Sequence, residues 1–225
     1  MSDAHARTGK GSPPPPARAE VRSLRLLGTL AGGGLVAGLI LVFVYEATQP
    51  TIRAYKAEVL RQAIYEVLKA PDRYDTLFVY DGRLTLELPD GVDSDDVERV
   101  YLGYVEREPV GFAIAAGKPG FQDIIRIIFG YDAATNTILG MKVLESKETP
   151  GLGDKIEKDL AFVTQFDGAQ PELIGMKRGK GSGDSDEIDM ITGATISSRT
   201  VIQIINEALE RLGPMLETYG EVAKR

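Results

Sequence analysis

Beginning at Leu26 the chain runs twenty positions without a charge, LLGTLAGGGLVAGLILVFVY, ending at Tyr45. A helix of that length covers about 30 Å, the thickness of a bilayer's hydrocarbon core. The run is longer than the apolar region of a cleaved signal, and Tyr45-Glu46-Ala47-Thr48 offers no small-x-small cleavage pattern. A retained transmembrane helix over 23–46 is expected. Gly28/Gly32 and Gly34/Gly38 have the small-xxx-small spacing that permits close helix packing in lipid, although glycine is common in membrane helices in general. Pro50 is expected to break the pattern. After it Ile52, Tyr55, Val59, Leu60, Ile64 and Leu68 recur at helical spacing, which predicts an amphipathic linker helix within 47–72.

From residue 76 the texture changes. LFVYDG, RLTLELPDG, VERVYLGYVERE, PVGFAIAAG and TILGMKVLES are short β-rich runs punctuated by turn signals such as Asp81-Gly82 and Asp90-Gly91. QDIIRIIFGYD reads as a further strand. KIEKDLAFVTQF (155–166) predicts one helix, KRGKGSGDSDE (177–187) a polar loop, and 197–217 a helix with Val201, Ile204, Ile205, Ala208, Leu209 and Leu212 on one face. Strands in the middle and helices at the flanks predict an α+β domain over 73–225 with a mostly antiparallel sheet. No internal repeat is visible.

Composition narrows the chemistry. Among 225 residues there is no cysteine, which removes disulfides, iron–sulfur clusters and thiolate sites. The single histidine, His5, lies in the polar stretch 1–22, so a Ser-His-Asp triad or a histidine-based metal site is not expected. That stretch, with GSPPPPARAE, reads as a disordered tail. The net charge of −7 disfavours nucleic acid as a partner. Arg7, Lys10, Arg18, Arg22 and Arg25 outweigh Asp3 and Glu20 before the apolar run, whereas the region after it is acidic. The asymmetry predicts a cytoplasmic N-terminus and an extracytoplasmic domain, anchored in membrane lipid by one pass.

Two short stretches carry candidate chemistry. In DMITGATISS (189–198), Thr192-Gly193-Ala194-Thr195 stands at the entrance to the last predicted helix. A helix N-terminus exposes unpaired N–H groups and a partial positive charge, which favour phosphate. Gly193 and Ala194 let backbone approach a ligand, and Thr192, Thr195, Ser197 and Ser198 supply hydroxyls. The same residues also suit an unliganded Ser/Thr helix cap. In SKETPGLGDKIEKD (146–159), Glu148 and Thr149 precede Gly151-Leu152-Gly153, a tight loop that presents Leu152 and opens onto a helix. On its own this is equally a strand-to-helix turn capped by Asp154. GKGS (179–182) lacks the spacing of a phosphate loop, and 90–96 and 183–189 do not match a calcium-binding loop.

Taken together, ETPGLGDKI followed some forty residues later by D-x-I-T-G-A-T-I-S-S, behind one membrane span, resembles the FMN-binding domain of the G subunit of the Rnf electron-transport complex. The C subunit of the sodium-translocating NADH:quinone reductase is related. The resemblance covers about residues 24–215. It implies FMN held through a phosphoester to Thr195, installed by a flavin transferase that consumes FAD. Thr192, Gly193, Ala194 and Ser197 would shape the loop, with Glu148, Thr149, Gly151, Leu152 and Gly153 against the flavin. Lys177, with Lys180 and Arg199, is a candidate for neutralising phosphate or is simply solvated. Ser146-Lys147 departs from the histidine that several relatives carry before this loop.

The resemblance further implies an electron-relay subunit of an ion-translocating oxidoreductase in the cell inner membrane, working with the other membrane subunits. No independent substrate turnover is expected. Tyr101, Tyr104, Phe112, Phe121, Phe129 and Tyr131 are candidates for an apolar ring pocket or for ordinary core. Two alternatives stand beside this reading: an anchored FMN domain of another extracytoplasmic reductase or sensor, and a flavin-free anchored binding module.

Overall fold

The structure, a computed structural model, describes residues 23–223; the expected tail 1–22 lies outside the described residues. The chain divides into two compact units, Met1–Arg53 and Ala54–Arg225. The described part of the first is helical throughout and belongs to α1 (Ser23–Val67). This helix is long and apolar enough to cross a membrane, and its apolar side chains are exposed. Pro50 lies inside α1 and does not break it. A proline removes one N–H donor from the helix ladder. In the preceding turn the Thr48 hydroxyl donates to the carbonyls of Val44 (2.9 Å) and Tyr45 (3.0 Å), adding bonds where the ladder is weakened.

The second unit is built on a six-stranded sheet. Its strands are β1 (Arg73–Tyr80), β2 (Arg83–Thr85), β3 (Arg99–Val105), β4 (Glu108–Pro119), β5 (Ile124–Asp132) and β6 (Thr137–Glu145). They lie in the order β2-β1-β3-β4-β5-β6 with every neighbouring pair antiparallel. The α+β fold expected from the pattern is therefore the one observed.

Alternation along each strand sends side chains to two different layers. Val100, Leu102, Phe112, Ile114, Ile125, Ile127 and Phe129 join the main core with α4 (Thr195–Ala223), which contributes Val201, Ile204, Ile205, Ala208, Leu209 and Leu212. Tyr101, Ala113 and Ile128 point the other way, to Ala63, Ile64, Val67 and Leu68 at the end of α1 and just after it. Gly103 and Gly130 face this second layer, where a β-carbon would collide with Leu68 and with the Val67 carbonyl respectively. Missing side chains let the backbone of one layer sit on the other.

Residues 155–166 differ from the single helix expected. They form α2 (Lys155–Lys158), α3 (Leu160–Val163) and a 3-10 turn over Thr164–Phe166. The break is at Asp159, which is extended (ψ 96°) and accepts from the Ala161 N–H at 3.1 Å, capping α3. On one straight helix Ile156 and Phe162 would diverge by about 120°. The break lets Ile156, Phe162 and Phe166 all reach the core. The sequence pattern also missed a small parallel pair, β7 (Ile174–Lys177) with β8 (Glu187–Met190), which brackets the polar loop. Asn206 of α4 secures the entry to β7, accepting from the Leu173 N–H and donating to its carbonyl, both at 2.9 Å.

Candidate functional site

Strand β8 ends at Met190, and α4 begins at Thr195 after a short turn. That turn is fixed from both ends. Gly193 holds φ +86°, a left-handed conformation natural to glycine, and the Ala194 N–H donates to the Ile191 carbonyl at 3.0 Å. The residue in the capping position is Ala194, so no hydroxyl caps the helix there. The Ser198 hydroxyl reaches back instead, accepting from the Ile191 N–H at 3.2 Å. Among the described residues, nothing accepts from the N–H groups of Thr195, Ile196 and Ser197. Thr192, Gly193, Thr195 and Ile196 are exposed, while Ala194, Ser197 and Ser198 are buried. The arrangement leaves the exposed hydroxyl of Thr195 beside amides whose partial positive charge favours an anion.

The second motif meets the first through a buried carboxylate. Glu148 is 5% exposed. Its Oε1 accepts from the N–H groups of Phe121 (3.0 Å) and Gln122 (3.1 Å), and its Oε2 accepts from the Ser197 hydroxyl at 2.6 Å. Thr149 adds a bond from its hydroxyl to the Gln122 side-chain carbonyl at 3.0 Å. One residue thereby joins the β4–β5 turn, the 149–154 loop and the first turn of α4. Two glycines make room for it. A β-carbon at Gly120 would stand 2.5 Å from Glu148 Oε1, and one at Gly153 would stand 2.5 Å from Oε2 and 2.9 Å from Ser197 Oγ. Gly151, at φ +78°, shapes the exposed tip of the loop.

Leu152 brings the two motifs together at the surface: its Cδ2 lies 3.7 Å from the place a Gly193 β-carbon would take, and the residue is 49% exposed. Ile196 and Phe121 are exposed apolar residues adjacent in sequence to Thr195 and to Gly120. Two ion pairs lie in the neighbouring segments. Lys147 and Asp123 lie 3.1 Å apart, and the Ile124 N–H with that lysine holds the Asp123 carboxyl below its usual range. Lys158, 2.8 Å from Asp154, does the same for Asp154 and is itself held above its ordinary value by that carboxylate.

Other sequence candidates are placed elsewhere. Lys177 is exposed at the end of β7, opposite Met190; no hydrogen bond or ion pair links it to either motif among the described residues. Phe112, Phe129 and Tyr131 belong to the main core and Tyr101 to the second layer, with Tyr104 packed against the core. Of the six aromatic candidates, Phe121 is the one whose backbone N–H bonds Glu148 among the described residues. Sequence reasoning missed Gly120 and the Phe121–Gln122 amides, whose role depends on a carboxylate 27 and 26 residues away. The signal was present as Gly120 in a β-turn, but its partner was not legible.

The chain is similar to known proteins in both sequence and fold. Residues 120–210, which span both motifs, match the family described as FMN-binding domain. The G subunit of the ion-translocating oxidoreductase complex of Vibrio atlanticus is 30% identical over 175 residues, covering 77% of this chain and 81% of that protein. Its namesake from Shewanella amazonensis is 30% identical over 182 residues, covering 80% and 83%. The crystal structure of Shewanella oneidensis NqrC superimposes with a TM-score of 0.61 at 16% identity, covering 75% of this chain and 99% of that one, a likeness of fold.

Proposed function

We propose a specific attachment and relay role for this chain, which belongs to the family of G subunits of ion-translocating oxidoreductase complexes and contains an FMN-binding domain. It is a single-pass membrane protein and one component of a redox complex. The FMN is held covalently, as a phosphoester of the Thr195 hydroxyl. The observation that carries this reading is the exposed Thr195 hydroxyl at the start of α4, beside three N–H groups without a protein acceptor among the described residues.

The residues fit the group. The amides of Thr195, Ile196 and Ser197 face a phosphate with the favourable end of the helix dipole. Gly193 keeps the approach free of a side chain, and Leu152, Ile196 and Phe121 offer apolar surface to a planar ring. Attachment forms the bond from Thr195 Oγ1 to phosphorus, breaks the pyrophosphate of FAD, and releases AMP and the hydroxyl proton; a flavin transferase performs it. The cofactor supplies electron acceptance and donation, and the protein supplies position and environment. The basic flank before the span supports a cytoplasmic N-terminus, with the flavin domain on the opposite face working with the complex's other membrane subunits.

Intact mass of the full chain, produced with an active flavin transferase, tests the assignment. Wild type should gain one FMN less one water, and Thr195→Val should gain nothing. An unmodified wild type, or a modified Thr195→Val, would overturn it.

A further inference from the structure

We infer that Glu148 is a positioning residue for the acceptor hydroxyl: through Ser197 it fixes the first turn of α4, and so the place of Thr195, against the Gly151–Gly153 loop. The inference rests on the attachment reading above and deepens it. The family resemblance implies Glu148 as a flavin contact, yet its carboxylate is turned into the protein. Both oxygens are engaged by protein donors, Oε1 by two backbone amides and Oε2 by the Ser197 hydroxyl.

The geometry leaves this clamp little freedom. Ser197 is 2% exposed and lies two residues after Thr195 on the same helical turn. The donor and acceptor are 49 residues apart in sequence, so the bond ties the two motifs together rather than decorating one of them. Gly120 and Gly153 sit against the two Glu148 oxygens with no space for a β-carbon, so a side chain at either position would displace the carboxylate or the backbone. Because Ala194 provides no side-chain cap, the Glu148–Ser197 bond is the side-chain tether that links the opening turn of α4 to the neighbouring loop. A hydroxyl that must meet a phosphorus centre in a transferase needs a defined position, and displacement by about 1 Å costs such a reaction on the order of a hundredfold.

The test follows flavin incorporation into the full-length chain in membranes, with purified transferase and FAD, well below the melting temperature of each variant. Ser197→Ala and Glu148→Ala are expected to incorporate flavin about ten- to a hundredfold more slowly in the transfer step, with the concentration of chain at half-maximal rate little changed. Glu148→Gln keeps the length of the side chain and an oxygen for the two amides, and the Ser197 hydroxyl can turn to accept from its N–H. It should recover to within about threefold of wild type, a rescue expected of a hydrogen-bonding positioner. Ser197→Ala modified at the wild-type rate, or Glu148→Gln as slow as Glu148→Ala, would overturn the inference while leaving attachment intact. Wild type that takes no flavin, or Thr195→Val that does, would overturn the attachment reading and this inference with it.

Discussion

The two ends of α4 differ in nearly every respect that matters for binding an anion. The helix is 29 residues long, which separates its ends by about 40 Å. At the C-terminal end lies the larger cleft, about 340 Å³, lined by Phe112, Leu102 and Pro109 and rimmed by Asp132, Glu217 and Glu221. The N-terminal end instead presents a surface of small residues, the exposed Thr195 hydroxyl and free amides. A second cleft of about 270 Å³ lies alongside, lined by Ile191 but not by Thr195. Volume alone would direct attention away from the proposed site. Acidic side chains and the negative pole of the helix repel a phosphate at the large cleft, whereas the N-terminal amides attract it. On the proposed attachment at Thr195, a cofactor tethered by a covalent bond would have no need of a deep pocket to retain it.

The largest effect is expected at the attachment point itself. Thr195→Val should abolish covalent flavin, and Thr195→Ser should restore it, as read by in-gel flavin fluorescence after denaturation. Next comes the packing behind that hydroxyl. Gly153→Ala drives a β-carbon into Glu148 and Ser197, so it should destabilise the domain by about 1–3 kcal/mol in urea unfolding and slow flavin incorporation. Gly193→Ala strains the left-handed turn and should cost about 1 kcal/mol or slightly more, read from the same unfolding curves.

A smaller effect is expected of the Asp154–Lys158 pair. Its carboxyl is held below the ordinary value of 3.8 in the folded state, so its contribution is fully present above that pH and fades as pH falls through the lowered folded value. Asp154→Asn should therefore lower Tm slightly at pH 6, and the difference from wild type should shrink as pH falls below 3.8 and through the lowered folded value. The far end of α4 provides the control. Glu217→Gln with Glu221→Gln should leave flavin attachment unchanged and alter stability by no more than about 0.5 kcal/mol. The double variant should also lower the pH at which Tyr131 ionises. Burial chiefly raises that tyrosine, and Glu217 is the next contributor. Loss of flavin in this variant would break the contrast between the two ends.

The sequence by itself determined the features that arise from local pattern. Twenty uncharged residues establish a membrane-spanning length without reference to anything else in the chain. The spacing of Val201, Ile204, Ile205, Ala208 and Leu212 creates an apolar face, and alternation in β3 to β6 creates the two faces of the sheet. The place of Thr195 at a helix entrance was legible because the hydroxyl-rich run and the apolar helical pattern are neighbours in sequence; its choice as acceptor came from the family resemblance.

Tertiary structure decided what depends on partners far along the chain. The break at Asp159 exists because Ile156, Phe162 and Phe166 must meet one core, a demand that helix propensity does not contain. The parallel pairing of β7 with β8 depends on strands separated by the 178–186 loop. The family resemblance implied that Glu148 lies against the flavin. Only the fold brings it to Ser197 and the Phe121 and Gln122 amides, because a buried carboxylate must find donors wherever packing supplies them.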